Sequence, residues 1–378
     1  MPGSVRDRRR RFHCDRRSAA PRRLPPLRPR VACLAVLLLC VLACQEETEH
    51  PPQVSLERGP EIHDCRRIER IEGQQGELLG VEDITIDPRT GYAYLSSHDR
   101  RHWRTRGGIY GFDLSKKPLP DAAEPLTPDM PPIFRPHGIS LATGKNGDWL
   151  FVVNHAGDKD HRIERFAVRG RALVYEPPAV AGPELTSPND VYAVDADELY
   201  VTNDHGSATR VGKIVEDLLD RRIGNIVRWD GKSLEIVESG LSYANGIQGN
   251  AEGSMVYVTT TRPRTLRIYE RELTGRLRLV REVFLDTLLD NIEIDSDGSL
   301  WIGAHPSAWA FLLHAGRLRK YAPSQVLRVT IRGDQVRAEE RFRDRGEQIS
   351  ASSVAAPWGP YVLVGSVFDR GFLLCERS

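Results

Sequence analysis

One short phrase recurs along the chain and limits what it can become. It reads Ser187-Pro188-Asn189-Asp190-Val191-Tyr192-Ala193-Val194, oxygen-bearing side chains followed by a short alternating strand. Variants are Val81-Glu82-Asp83-Ile84-Thr85-Ile86, Pro136-His137-Gly138-Ile139-Ser140-Leu141, Ala244-Asn245-Gly246-Ile247, Asp290-Asn291-Ile292-Glu293-Ile294 and the degraded Ser352-Ser353-Val354-Ala355. The first variable positions, 82, 137, 189, 245, 291 and 353, lie 55, 52, 56, 46 and 62 residues apart. A period of about 50 residues in strand-rich sequence predicts a propeller.

Each copy brings the rest of a blade with it. A second strand follows, as in Tyr92-Ala93-Tyr94-Leu95 or Trp149-Leu150-Phe151-Val152-Val153, made of β-branched and aromatic residues bounded by Gly, Asp or Asn. A third strand comes next, such as Ile163 to Val168, then a more polar fourth, such as Leu234 to Glu238. Six such units predict an all-β chain, a six-bladed β-propeller of four-stranded blades over residues 63–378. The innermost strands border the central channel, so Glu82, His137, Asn189, Asn245 and Asn291 are expected at one mouth. One inserted helix is expected near 211–222, where Val211, Ile214, Leu218 and Leu219 fall at helical spacing. Above the mouth it would be a lid or a membrane-facing element, or it would simply pack on blade three. Residues 307–325 read as irregular.

The chain is 28% charged with a formal net charge of +1, which argues against nucleic acid as the partner of the folded part. The balance is uneven, because residues 1–30 are Arg-rich and nearly free of acid. Val31 to Ala43 is an apolar run too short to span a bilayer, and it suits the core of a signal peptide. It ends in Val41-Leu42-Ala43-Cys44, followed by acidic, Pro-containing sequence. The expectation is that residues 1–43 are removed and Cys44 becomes the lipidated start of an exported bacterial lipoprotein. It would face the periplasm or the exterior, anchored to the membrane, with residues 44–62 as a tether. The alternative is an ordinary secretory signal with an incidental cysteine. Processing at Cys44 would remove Cys14, Cys33 and Cys40 and leave Cys65 and Cys375. If an N-terminal strand closes the last blade, these two meet and form a disulfide in an oxidising compartment; otherwise they are unrelated thiols.

Glu82, Asn189, Asn245, Asp290 and Asn291 all offer oxygen. Hard oxygen donors select Ca²⁺ or Mg²⁺ over zinc, and five protein ligands plus water fit the 6–8 coordination of Ca²⁺. Only Glu82 and Asp290 are charged, which matches the ion. Asp83 and Asp190, one position on, would point the other way and build a second, structural ion site with the Ile139 carbonyl. The competing explanation is that Asn and Asp merely form turns at strand starts. His137 begins one strand and His155 ends the next, so an antiparallel hairpin brings them together. Asp204-His205 ends the second strand of the following blade.

In this order, the phrases Glu82-Asp83-Ile84, Pro136-His137-Gly138-Ile139-Ser140, Val153-Asn154-His155, Asn189-Asp190, Asn203-Asp204-His205, Ala244-Asn245-Gly246-Ile247, Asp290-Asn291, His305-Pro306 and Leu374-Cys375-Glu376 resemble the paraoxonase family. These are calcium-dependent lactonases and arylesterases within the wider gluconolactonase and strictosidine-synthase-like propellers. The wider group shares the fold without the His137/His155 pair. The resemblance implies two Ca²⁺ ions: a catalytic one on Glu82, Asn189, Asn245, Asp290 and Asn291, and a structural one on Asp83, Ile139 and Asp190. It implies a histidine dyad of His137 and His155, an assisting pair Asp204 and His205, and a Cys65–Cys375 disulfide. It implies hydrolysis of small-molecule lactones and of aryl esters. Departures are the longer stretch between Cys65 and Glu82 and the basic 97–107 loop. Two other functions fit the scaffold: a non-catalytic lipoprotein binding a ligand or partner at the mouth, and a sugar lactonase or phosphotriesterase.

Overall fold

The computed structural model describes residues 51–377, apart from 131, 132, 145, 146 and 220. The signal peptide expected at 1–43 and lipidation at Cys44 lie outside the described residues. Six antiparallel sheets follow one another along the chain. The innermost strands are Val81–Ile86, Pro136–Ala142, Pro188–Ala193, Ala244–Gly249, Leu288–Ile294 and Ser352–Trp358. Each blade then steps outward through its second, third and fourth strands. In blade six the fourth strand comes from the other end of the chain: His63–Ile68 pairs antiparallel with Phe372–Glu376. The six-bladed propeller and its closure by an N-terminal strand are therefore as the repeat predicts.

Inner and outer strands differ in burial for a physical reason. Pro188–Ala193 is buried at every position because neighbouring blades cover both of its faces. Leu234–Leu241, on the rim, is mostly exposed, which is why the fourth strands read as polar. The apolar core consists of wedges between blades. Between blades two and three, for instance, Phe151, Val153 and Ile163 meet Val191, Leu199 and Val201. Fully burying a side chain of this size contributes about 1.5–3 kcal/mol.

A ring of polar bonds closes the inner circle. Asp83 Oδ2 accepts from the Ile139 amide at 2.7 Å, Ser140 Oγ from that of Ala193 at 3.0 Å, and Asp190 Oδ2 from that of Ile247 at 2.8 Å. Thr259 donates to the Asp290 carbonyl at 2.7 Å, Ser352 to that of Ala304 at 3.1 Å, and Ser353 to that of Glu82 at 2.6 Å. Each joint between blades thus has its own side-chain bolt. The approach is close enough to exclude side chains at Gly138 and Gly246. A Cβ on Gly138 would sit 2.4 Å from the Asp190 Cα, and one on Gly246 would sit 2.7 Å from the Asn291 Cα.

Three features differ from expectation. The stretch 44–62 was expected to be a tether, but from Pro52 onward it lies against the domain. Phe284 exchanges two backbone bonds with Pro52 and Val54, and Leu56–Arg58 runs parallel to the outer strand Gln335–Asp344. Val54, Leu56 and Ile62 supply apolar anchors that the acidic, Pro-containing composition conceals. The helix at 210–218 does not pack its apolar stripe on blade three, one of the three placements expected for it: Val211 is 72% exposed and Leu218 79%. It is held by polar side chains instead, with Glu216 accepting from the Gly206 amide at 3.0 Å and Asp217 from His205 at 3.1 Å. The region 307–325 is not irregular throughout, because Ser307 caps a second helix, Ala308–Ala315.

Cys65 and Cys375 form the expected disulfide across 310 residues. Closing so long a loop stabilises the fold by about 5 kcal/mol in the chain-entropy model. Cys65→Ser is expected to lower the unfolding midpoint in urea and to steepen its slope, because the unfolded chain loses its cross-link and exposes more surface. Intact mass of the wild type should rise by about 2 Da on reduction, one hydrogen per sulfur; an unchanged mass would remove the bridge.

Candidate active site

The recurring phrase does more than start a strand. In every blade the register of the inner strand slips within it: between Val81 and Asp83, Pro136 and Ile139, Pro188 and Val191, Ala244 and Ile247, Leu289 and Ile292, and Ser352 and Ala355. These are β-bulges, which bend the strand and re-aim its side chains. Residues next to each other in the phrase therefore reach different partners.

The first positions form a set of buried oxygens. Glu82 Oε2, Asn189 Oδ1, Asn245 Oδ1 and Asn291 Oδ1 are all buried with no hydrogen-bond partner. Two of the amides have their nitrogens tied elsewhere, which leaves the oxygen free. Asn245 Nδ2 donates to Thr261 at 2.9 Å, and Asn291 Nδ2 donates to Glu82 Oε1 at 3.1 Å. Asp290 Oδ2 accepts from His305 Nε2 at 2.8 Å. Unpartnered buried acceptors are costly, about 1–3 kcal/mol each. Three amide oxygens from three blades, with the Glu82 carboxylate whose Oε2 lies 3.4 Å from Arg100 Nη2, have the oxygen chemistry that suits a hard cation. Burial works to raise the Glu82 carboxyl, but the charges of His137 and Arg100 overcome it and hold it at about 2. Burial pushes Asp290 up.

The second positions form another group. Asp83 and Asp190 take backbone amides from their own strands and from Ile139 and Ile247. Ile139 thus comes to Asp83 through its amide. Burial raises Asp83 well above the usual carboxylate range, and the Glu82 charge adds to this. Asp190 is raised by burial and by Asp83. Glu293, which the phrase gave no reason to single out, is raised by burial and again by Asp83. Three buried carboxyls that repel one another need a cation or protons.

The dyad is a chain of three. His137 Nδ1 and His155 Nε2 are 2.8 Å apart, and His155 Nδ1 lies 3.0 Å from His161 Nδ1. His161 sits directly opposite His155 in the strand ladder. Its position on a third strand gave no sign that it reached the mouth; pairing register was the signal that would have found it. His137 Nε2 is 3.3 Å from Glu82 Oε1. Burial lowers His155 well below its ordinary value, with His137 and His161 adding to this. Burial also holds His161 down, at about 4. The bonds allow two proton directions. In one, His137 Nε2 carries hydrogen toward Glu82; in the other, it presents a lone pair.

His137, His155, His161 and Asp204 line a cavity of about 840 Å³ with Arg100, Trp103 and Lys213. His205 is tied between Asp204 Oδ1 at 2.8 Å and Asp217 Oδ1 at 3.1 Å, so it joins the mouth to the 210–218 helix. Burial opposes charge on His205, yet those two carboxylates raise it.

Relatives fit this picture. The arylesterase family profile matches residues 104–377. Serum paraoxonase/arylesterase 2 of Gallus gallus is 31% identical over 327 residues, covering 83% of this chain and 89% of that protein. Serum paraoxonase/lactonase 3 of Homo sapiens is 29% identical over 336 residues, covering 83% and 92%. Among solved structures, a luciferin-regenerating enzyme aligns with a TM-score of 0.54 at 14% identity, covering 83% of this chain and 95% of its own. Regucalcin from Agrobacterium tumefaciens, described as a calcium-binding protein, aligns at 0.50 and 15%, covering 82% and 93%. At such identities these structures speak to the fold alone. The profile and the paraoxonase relatives, each spanning most of the sequence, go further: the chain belongs to the arylesterase family.

Proposed function

We propose that this protein is a carboxylic-ester hydrolase that opens lactones and cleaves aryl esters with the help of bound calcium. The observation that carries the reading is the set of buried oxygens without a hydrogen bond on Asn189, Asn245, Asn291 and Glu82, the last of which faces Arg100 at 3.4 Å and, through its other oxygen, the histidine chain at 3.3 Å. With Asp290 they would hold the ion. When bound, calcium would act as a Lewis acid on the ester carbonyl and stabilise the developing oxyanion. Asp83, Asp190 and the Ile139 carbonyl would hold a second ion that supports the fold.

The chain's own residues supply the base. When Glu82 is engaged by charge from elsewhere, His137 Nε2 is free to present its lone pair to water. His137 Nδ1–H then donates to His155 Nε2, and His155 Nδ1–H to His161. Burial keeps His155 neutral, so it can accept this bond and fix the tautomer of His137. A base positioned in this way is typically worth 10²–10⁴-fold. Asp204 and His205 assist by position, fixing the helix over the cavity. The names of the paraoxonase relatives, arylesterase and lactonase, support the substrate class.

The reading extends to location: export, lipid attachment at Cys44 and a membrane-anchored domain outside the cytoplasm. The disulfide supports this, since such bonds persist in oxidising compartments. The test of activity is a panel of γ- and δ-lactones, acyl-homoserine lactones and phenyl acetate, assayed with added calcium. Turnover of at least one lactone is expected; no turnover of any would leave a binding propeller.

A further inference from the structure

The cavity at the mouth holds more positive charge than ester hydrolysis uses. Arg100, Arg101, Arg135, Lys159, Lys213 and Arg317 line it, against Asp158 and Asp204. Two of the six face carboxylates: Arg100 lies 3.4 Å from Glu82 and Lys213 lies 3.9 Å from Asp204. The other four have no carboxylate within ion-pair distance among the described residues. Neutral groups hold three of them. Arg101 donates to the Phe368 carbonyl at 3.2 Å and lies 2.8 Å from His314 Nε2. Arg135 donates to the His155 carbonyl at 3.2 Å and rests on the Trp103 ring at 4.8 Å. Arg317 lies 3.1 Å from His102 Nε2.

These guanidinium groups also have unused hydrogen. Arg100 Nε, Arg101 Nε and Arg135 Nε are buried without an acceptor, while Arg100 Nη2 is turned to Glu82. A buried N–H left unmade is costly, and an Arg fork matches carboxylate geometry. An adjoining cavity shares Arg101 and Arg317 and adds Arg67, Arg319, Lys320 and Arg370, against Asp99, Glu347 and Asp369. The concentration is local, because the whole chain carries a formal net charge of only +1. A neutral ligand would strip water from these cations and return nothing. A ligand with a carboxylate would pair with them.

We infer that the preferred substrates are anionic: lactones or esters carrying a free carboxylate besides the bond that is hydrolysed, received by the Arg100, Arg101 and Arg135 guanidinium groups. This rests on the hydrolase reading above and adds the charge of the substrate to it. The carboxylate keeps its charge throughout and takes no part in bond making.

The test compares γ-butyrolactone-γ-carboxylate with its uncharged γ-carboxamide on the calcium-supplemented protein. The acid is expected to exceed the amide in kcat/KM by about tenfold or more, the range of one charge-assisted hydrogen bond. Raising salt from about 0.05 M to about 1 M should shrink that ratio, because the cavity is open and the Debye length falls to about 3 Å. Arg135→Met and Arg101→Met should each move the ratio toward one. The ratio is internal to each preparation, so a loss of folded protein cancels. A wild-type ratio at or below one, with both compounds hydrolysed, overturns the inference and leaves the hydrolase standing. If neither compound nor any neutral lactone is turned over, the hydrolase reading fails and the inference falls with it.

Discussion

Chelation of divalent ions is expected to abolish lactone hydrolysis and to lower the thermal midpoint of the domain by several degrees. Both effects come from buried oxygen. With the catalytic site stripped, the buried amide oxygens of Asn189, Asn245 and Asn291 have no hydrogen-bond partner, and Glu82 Oε2 has only the Arg100 guanidinium 3.4 Å away. With the second site stripped, Asp83, Asp190 and Glu293 remain together, each raised by burial and by like charge. A ligand present at 100 times its dissociation constant stabilises by about 2.7 kcal/mol. In a domain this large, each kcal/mol is worth about 2–4 °C. Calorimetry with EDTA and after calcium is restored would measure it. The role of the second site can be checked separately: Asp83→Asn should shrink the gain from calcium and lower stability even without it, because the two Asp83 oxygens accept the Ile84 and Ile139 amides and an amide nitrogen cannot. An EDTA-treated sample with an unchanged hydrolysis rate would remove the ion from the mechanism.

His137→Gln should cost about 10²–10⁴-fold in kcat, the usual worth of a positioned base. Glutamine keeps a donor near Glu82 but supplies no base. The loss should fall on kcat more than on KM, because only one of the side chains lining the cavity changes. His161→Phe acts at the far end of the chain, two hydrogen bonds from His137. It leaves a base at 137 and removes only the acceptor that orients His155, so a smaller loss in kcat is expected. Stopped-turnover assays on folded variants, matched by circular dichroism, would separate the two. A full rate in His137→Gln would dismiss the base and leave the oxygen ring in place.

Much of this was legible in the sequence because it repeats. The period fixed six blades, and the phrase named His137, which lines the cavity, and Glu82, 3.3 Å from it, without any contact being known. The same phrase hid its own mechanics. A bulge in each copy is what separates Glu82 from Asp83 and Asn189 from Asp190, and a bulge has no signature beyond the phrase itself. His161 escaped notice because it lies outside the repeat, and the Arg101 contact with His314 joins residues 213 apart. The N-terminal stretch misled through composition. Prolines and acids suggest a solvated linker, yet three spaced apolar side chains, Val54, Leu56 and Ile62, dock it. Spacing found the helix, since Val211, Ile214 and Leu218 fall on one face, but it left open which way that face turns, and it looks outward.

The course of residues 52–71 has a mechanical consequence. They touch the outer margin of blade four at Phe284, add a strand to blade five beside Ala338, complete blade six beside Leu374 and end on blade one beside Ala122. They act as a hoop around a third or more of the circumference, riveted at Cys65. A pull on the N-terminus would meet strands sheared along their length at successive blades, and the rivet would stop the peeling before the ring sprang open. Cutting the hoop ahead of the rivet should leave the closed ring standing but easier to spread.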